Sequence, residues 1–265
     1  MTARYAELPM YVAPENIAVA NERWLGAIAQ RLSIERLPMT DLSLAALWQH
    51  PRLLLAQTCG YPLMTLLQGH VRLIGRPHYE LPDARAGFHC SLILARADDP
   101  RQDLGAFAGC RGVINSPDSN TGMNLLRHSI APYQRGGQFF SSLKISGGHR
   151  ESLRWLRDGR AELAAVDSVT FAYLQRDAGH EVGNLRIVAR TAGSPTLPFI
   201  AGLDVDADDG ETLRSVMNET LQLLPDVSQT LGLVEVLPAR EEDYQILLAY
   251  ERQAATLGLE YLNPD

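Results

Sequence analysis

The chain has 265 residues, of which 46% are hydrophobic, and it carries a formal net charge of −7 at pH 7. That length suffices for one large domain or for two modest lobes with a real hydrophobic core. The acidic balance and the lack of a Lys/Arg block argue against a nucleic-acid-binding surface, which normally carries a basic patch. A small anionic ligand stays compatible with this charge, because local N–H and hydroxyl dipoles can hold one.

Strand and helix signals alternate along the chain, which indicates α/β layers with mostly parallel sheets. The strands are predicted at residues 8–12, 53–56, 71–74, 89–95, 111–115, 139–145, 162–166 and 185–189. Helical patterns are predicted after residue 14, over 121–131, from 149, from 168, and over 211–224, 227–231 and 241–257. Breaks in composition near 85–88 and 191–198 predict one lobe of residues 1–87 and 195–265 and an inserted lobe of residues 88–194.

Neither a signal peptide nor a membrane span is evident in the sequence. Residues 1–9 lack an apolar h-region, and no later segment is long enough to cross a bilayer. The sequence as written therefore predicts no direct membrane insertion and favours a cytoplasmic protein. A periplasmic location would require that a signal has been removed.

The three cysteines, Cys59, Cys90 and Cys110, lack the C-x-x-C spacing of zinc and thioredoxin-like sites. A Cys59–Cys90 disulfide would require that the fold bring the two residues together, which spacing alone does not establish. No metal is expected, and without a fingerprint such as G-x-G-x-x-G no cofactor is expected either.

Residues 115–124 are the most informative segment, because an apolar run precedes them and a helical pattern follows. This order predicts a strand, a tight turn and a helix start, where backbone N–H groups lack partners and the helix dipole is positive. Ser119 and Thr121 add hydroxyl donors, and Gly122 permits close approach to the backbone. The pattern suits a small oxyanion. The same residue types also cap helices that bind nothing, which is the simpler interpretation.

Polar or aromatic residues stand at or after the ends of four other predicted strands: Tyr11, Tyr61, His149 and Asp167. In open α/β sheets, ligands bind beyond the carboxyl ends of the strands, so these side chains are candidates for the same cleft. Each also has a structural interpretation. The tyrosines would be half-buried packing residues, His149 a surface residue at a helix start, and Asp167 the N-cap of the helix that follows it.

Seven short segments, in register over nearly the whole chain, carry a resemblance to a known family. They are residues 8–11, 59–62, 90–94 with 98–100, 115–124, 148–153, 165–170 and 194–199. In these segments the chain resembles the phosphate, phosphite and phosphonate substrate-binding proteins of ABC transporters. The resemblance implies a type 2 periplasmic-binding fold, with two α/β lobes of mostly parallel sheet joined by two hinge crossings and closing on a ligand.

The resemblance also implies a set of ligand-binding residues. They are Ser119, Asn120, Thr121, Gly122, Tyr11, Tyr61, His149 and Asp167. The first four would hold the oxyanion at the helix start, and the histidine would add a donor. The tyrosines would cover the site from the other lobe, and the aspartate would accept a hydrogen bond from the far end of the ligand, such as an amine.

Two classes of function stay open on the sequence. One is a solute-binding protein that holds a phosphonate, phosphate or phosphite-like anion without turnover and has an ABC permease as its partner. The other is a cytoplasmic enzyme or ligand sensor on the same fold. No set of nucleophile, base and acid stands out in the sequence, so binding is favoured over catalysis and no catalytic residue is assigned.

Overall fold

The computed structural model describes residues 2–40 and 42–265. Its contacts divide the chain into two compact units. The first unit is Met1–Phe88 with Pro195–Tyr244, and the second is His89–Ser194 with Gln245–Asp265.

The strands and helices alternate along most of the chain, as the sequence predicts. The strands are β1 Ala3–Glu7, β2 Glu35–Arg36, β3 Leu53–Gln57, β4 Arg72–Tyr79, β5 Ala84–Arg85, β6 Phe88–His89, β7 Ser91–Arg96, β8 Arg111–Ile114, β9 Ser142–Ile145, β10 Leu163–Asp167, β11 Leu185–Arg190, β12 Ser194–Pro195, β13 Phe199–Ala201 and β14 Leu233–Leu237. The α-helices are α1 Glu15–Arg31, α2 Leu44–Trp48, α3 Gly60–Met64, α4 Leu125–Ile130, α5 His149–Arg157, α6 Ser168–Asp177, α7 Ala207–Leu223, α8 Pro225–Leu231 and α9 Glu241–Thr256. Short 3-10 helices occur at Leu104–Phe107, Ala131–Tyr133 and Gly179–Glu181, and a π-helical turn at Asn120–Asn124.

A six-stranded sheet in the order β14-β4-β13-β3-β1-β2 forms the centre of the first unit. Strands β3, β1 and β2 run parallel, and the remaining neighbours run antiparallel. The sequence of β3, Leu-Leu-Leu-Ala-Gln, is apolar at four of five positions, as is typical of a strand covered on both faces. Helix α1 buries Ile17, Trp24 and Ile28, whose helical spacing predicts this face.

The second unit contains a five-stranded sheet in the order β11-β7-β10-β8-β9. Every residue of β10 is buried, and it pairs in parallel with β8 and antiparallel with β7. Both sheets are therefore mixed, which corrects the expectation of mostly parallel sheets. The cause is that β7 and β13 run against their neighbours. A third, short sheet contains β12, β6 and β5.

The C-terminal residues 245–265 cluster with the second unit, whereas the sequence-based division places them in the first. Hydrogen bonds explain the difference. The Arg127 guanidinium donates to Glu260 O over 2.8 Å, and Asp265 N donates to Leu143 O over 2.8 Å. Such contacts between residues far apart in the sequence leave no trace in local composition.

Two local expectations are also settled by the structure. The first strand is Ala3–Glu7, so its prediction at residues 8–12 is wrong. Cys59, Cys90 and Cys110 are buried thiols, so no disulfide joins them.

None of the helices in the described part of the chain combines the length and hydropathy that a bilayer crossing needs.

Candidate functional site

The predicted strand, turn and helix start at residues 115–124 is present in the second unit. Strand β8 ends at Ile114, and the chain enters a helix whose first turn is π-helical. Asn124 N donates to Ser119 O, five residues back, over 3.0 Å. Ser119 Oγ accepts from Gly122 N over 2.9 Å, so Ser119 is the N-cap. The backbone N–H groups before Asn124 come ahead of the first main-chain hydrogen bond of this helix. The helix itself therefore offers them no carbonyl partner.

Thr121 and His149 are brought together by this turn and by the start of α5. Thr121 Oγ1 lies 3.1 Å from His149 Nε2. Desolvation lowers the pKa of His149 by more than the nearby charge of Asp167 raises it, so the neutral imidazole predominates at neutral pH. The pair therefore presents one hydroxyl and one neutral imidazole, each able to donate or accept a proton in a hydrogen bond.

The Asn120 side chain is held within a buried polar network. Its Nδ2 donates to Ser194 Oγ over 3.1 Å, and its Oδ1 accepts from Asn124 Nδ2 over 3.2 Å. Asn124 Nδ2 also lies 3.1 Å from Leu247 O, a carbonyl of the C-terminal helix. Both ends of the Asn120 amide thus have protein partners, and its contact with a ligand stays a prediction.

Gly122 is required by packing inside the turn. A Cβ atom at this position would lie 1.7 Å from Asn115 Oδ1 and 3.2 Å from His149 Cε1. The space that the sequence analysis assigns to an approaching ligand is thus taken, on this side, by the Asn115 amide. Any side chain larger than hydrogen would displace Asn115.

Asp167 is the N-cap of α6, as one of its two interpretations predicts. Its Oδ1 accepts from Val169 N over 2.8 Å and from Thr170 N over 3.1 Å. Its Oδ2 lies 3.0 Å from His89 Nδ1 in a pair that is almost completely buried. Burial raises the pKa of Asp167, but the charge and hydrogen bond of His89, with His149 and the capped amides, outweigh it and lower the pKa.

His89 is the residue of this cluster that the sequence analysis missed. It is the last residue of β6, two positions before β7 begins, and in the sequence it looks like the first residue of a buried strand. The pattern that would have drawn attention to it is a histidine in an otherwise apolar run, since a buried imidazole needs a polar partner. Which partner it has depends on the antiparallel pairing of β7 with β10.

The two tyrosines lie in the first unit. Tyr11 is buried and packs edge-to-face with Tyr79 at a ring-centroid distance of 6.2 Å. Its carbonyl accepts from Asn21 Nδ2 over 2.7 Å. Tyr61 is half-buried in α3, and its carbonyl accepts from Thr65 Oγ1. Their contact with a ligand stays a prediction.

The side chains of the turn are closely covered. Thr121 is 2% exposed and Ser119 is 5% exposed, whereas His149 is half-buried. Asp118, next to the turn, is exposed and its carboxylate bonds with the Ser116 hydroxyl. An oxyanion would therefore reach Thr121 only after neighbouring residues move aside.

A family model of periplasmic, phosphonate substrate-binding proteins of ABC transporters matches residues 52–244. The chain belongs to this phosphonate-binding family. The match extends over most of both units and includes β8, the π-helical turn, His149 and Asp167. It confirms the resemblance that the seven sequence segments carry. The members are the small-anion binding components of ABC transport systems, and the enzyme or sensor alternative is not favoured.

This member of the phosphonate-binding family is similar to several solved structures. They share its two-lobed α/β fold, which is that of periplasmic binding proteins. PhnD1 from Prochlorococcus marinus, in complex with methylphosphonate, has a TM-score of 0.75 at 10% identity, covering 96% of this chain and 98% of that one. XAC2383 from Xanthomonas citri, bound to ATP, has a TM-score of 0.69 at 12% identity, covering 97% and 98%.

The alkanesulfonate-binding protein SsuA from Xanthomonas axonopodis pv. citri, bound to MOPS, has a TM-score of 0.62 at 14% identity, covering 94% of this family member and 84% of SsuA. No curated protein sequence matches the chain significantly. At these identities the structural likenesses establish the fold, and the family match carries the function.

Proposed function

We propose that this protein binds a small tetrahedral oxyanion, such as a phosphonate, phosphate or phosphite, at the helix start that Ser119 caps. Thr121 and His149 exchange their mutual contact for side-chain hydrogen bonds to the anion, and the first turn supplies backbone amides. The observation that carries the proposal is the 3.1 Å contact of Thr121 Oγ1 with His149 Nε2 at a helix N-terminus.

The chemistry of the turn supports this assignment. The Ser119 oxygen accepts from Gly122 N, which leaves the hydroxyl proton available to donate to an anion. A neutral His149 adds a donor without a full positive charge, and fixed dipoles stabilise an anion in a water-poor site more strongly than in bulk water.

The ligands of the similar structures support a tetrahedral anionic group. Methylphosphonate, ATP and MOPS share a phosphorus or sulfur centre that carries negatively charged oxygens. Their substituents differ widely. The common part is therefore the group that a helix start with hydroxyl donors suits.

Calorimetric titration with methylphosphonate, phosphite, phosphate and sulfate tests the proposal. At least one of them should bind, and Thr121→Val, which keeps the shape of the side chain, should weaken binding by roughly tenfold to a hundredfold, the worth of a hydrogen bond to a charged group. Ser129→Ala is the matched control, because Ser129 is a hydroxyl residue of α4 whose side chain donates to Leu125 O within its own helix. Failure of all four anions to bind would refute the proposal, as would full affinity of the Thr121→Val protein.

We further propose that the protein does its work in the periplasm, where it presents the bound anion to an ABC permease and releases it unchanged. The family match, to substrate-binding components of transporters, supports recognition without turnover. Fractionation of the native host tests the location. Recovery of the anion unchanged after prolonged incubation with the protein tests the absence of turnover, and the appearance of a product would contradict it.

A further inference from the structure

The buried pair of His89 and Asp167 belongs to the same cluster as the proposed oxyanion site. Ser91 pairs with Asp167 in the register of β7 and β10, and Ser91 Oγ donates to Thr121 O over 2.7 Å. Asp167 and His149 are close enough for each charge to shift the pKa of the other. The carboxylate therefore acts electrostatically on a ligand held by Thr121 and His149.

Both carboxylate oxygens of Asp167 have partners. One oxygen accepts from two helix amides, and the other faces His89 at 3.0 Å. The His89 side chain is completely buried and the Asp167 side chain is 2% exposed. Backbone bonds hold the two segments together, because Ser168 N donates to Cys90 O over 3.0 Å.

Two consequences for ligand choice follow from this pairing. A buried carboxylate without a partner would repel a nearby oxyanion, and the His89 imidazole, 3.0 Å from Asp167 Oδ2, moderates that repulsion. The pairing also removes the acceptor that a cationic group on the ligand would need. A cationic substituent would then be desolvated without an anionic partner, which is unfavourable.

We propose that His89 is a specificity-determining residue, which pairs with Asp167 so that the site selects oxyanions whose substituent carries no cationic group. The inference rests on the proposed function and narrows its ligand class. It also revises the role expected for Asp167, which becomes a partner of His89 rather than an acceptor for a ligand amine. His89 acts through Asp167 and is a positioning residue, not a ligand contact.

Ethylphosphonate and 2-aminoethylphosphonate are a matched pair of probes, because they differ only in the ammonium group. By calorimetric titration at pH 7, the unaltered protein should bind ethylphosphonate at least about tenfold more tightly, the scale of leaving a charge unpartnered. Equal affinities, or a preference for the amine, would overturn the inference without any variant.

The variant His89→Gln separates a specificity role from a structural one. It removes the imidazole that faces Asp167 Oδ2, so the affinity ratio of the two phosphonates should shift toward 2-aminoethylphosphonate by about tenfold or more. An equal loss for both ligands would mean that His89 only supports the fold, and would overturn the inference. In the double variant His89→Gln/Asp167→Asn the carboxylate is absent, and the preference for ethylphosphonate should return.

His128→Gln is the control, because His128 lies on α4, bonds Gln253 and is not part of the cluster. It should leave the ratio unchanged. If thermal melting shows that His89→Gln is unfolded, the ratio for the unaltered protein and that for Asp167→Asn decide the matter. Failure of the unaltered protein to bind any oxyanion would refute the proposed function itself. Tight binding with an affinity ratio for the two phosphonates that does not change in the variants would refute only the role of His89.

Discussion

The helix starts at Ser119 and Asp167, both in the second unit, are built alike but differ in charge. Each cap residue accepts a hydrogen bond from the amide three residues later, Gly122 N over 2.9 Å and Thr170 N over 3.1 Å. A helix N-terminus is stabilised by negative charge. Asp167 supplies that charge from its own side chain, whereas the hydroxyl of Ser119 does not.

The difference teaches which kind of helix start can receive a ligand. A carboxylate cap satisfies both the amides and the dipole, so an external anion gains little there and is repelled. A hydroxyl cap satisfies one amide and leaves the dipole available. The charge of the cap residue is thus more informative about anion binding than the presence of a capping motif.

The largest expected effect comes from giving the first helix start the cap of the second. Ser119→Asp should keep the cap but place a carboxylate about 5 Å from the oxyanion, which costs about 3 kcal/mol at an effective dielectric constant of roughly 20, or about a hundredfold in affinity. Ser119→Asn, a neutral cap, should retain most of the affinity. Calorimetry with the best-binding anion measures both, and tight binding by the Ser119→Asp protein would contradict the comparison.

The two helix starts also differ in packing at the third residue of each helix, which is Gly122 in the first and Thr170 in the second. Gly122→Ala places a Cβ 1.7 Å from Asn115 Oδ1, and should destabilise the protein by about 2 kcal/mol, as overpacking does. Thr170→Ala, at the equivalent position of α6, should cost less than about 1 kcal/mol because a Cβ is already accommodated there. Urea unfolding of both variants gives the difference. Similar losses for the two would show that the tight contact with Asn115 is unimportant.

The charged cap should make part of the stability depend on pH. The folded pKa of Asp167 is lowered, so its charge contributes stability above the unfolded pKa of about 4, and that contribution is lost as pH falls through the folded pKa. Asp167→Asn should therefore cost about 1–2 kcal/mol at pH 7 and clearly less at pH 3. Urea unfolding of both proteins at the two pH values measures this, and a pH-independent difference would exclude a charge effect.

The smallest expected effect concerns the exposed carboxylate beside the first helix start. Asp118 is exposed to solvent, so Asp118→Asn should raise oxyanion affinity by less than about threefold because water and salt screen its charge. The gain should vanish in about 0.5 M NaCl, where screening is stronger. A tenfold gain would mean that Asp118 faces the anion directly.

Features that depend on neighbouring residues in the sequence were predicted well. The turn at residues 115–124, the apolar face of α1 and the cap at Asp167 each follow from short-range spacing and cap chemistry. The seven segments also predicted the family correctly.

Features that depend on strand pairing were not predicted. The direction of β7 decides that His89 meets Asp167, and no local pattern specifies that direction. The π-helical turn depends on two bonds, from Asn124 N to Ser119 O and from Leu125 N to Asn120 O, which helical periodicity does not distinguish from an α-helical start. The placement of residues 245–265 depends on buried polar contacts with Asn124 and Arg127.

The last of these has a practical consequence for anyone who wishes to study the second unit by itself. Expression of residues 89–194 alone would leave the buried guanidinium of Arg127 and the amide of Asn124 without the carbonyls of Glu260 and Leu247. Each lost hydrogen bond is worth about 0.5–1.5 kcal/mol, a noticeable share of the stability of a small domain. A minimal recombinant form should instead splice residue 194 to residue 245 through a short flexible linker.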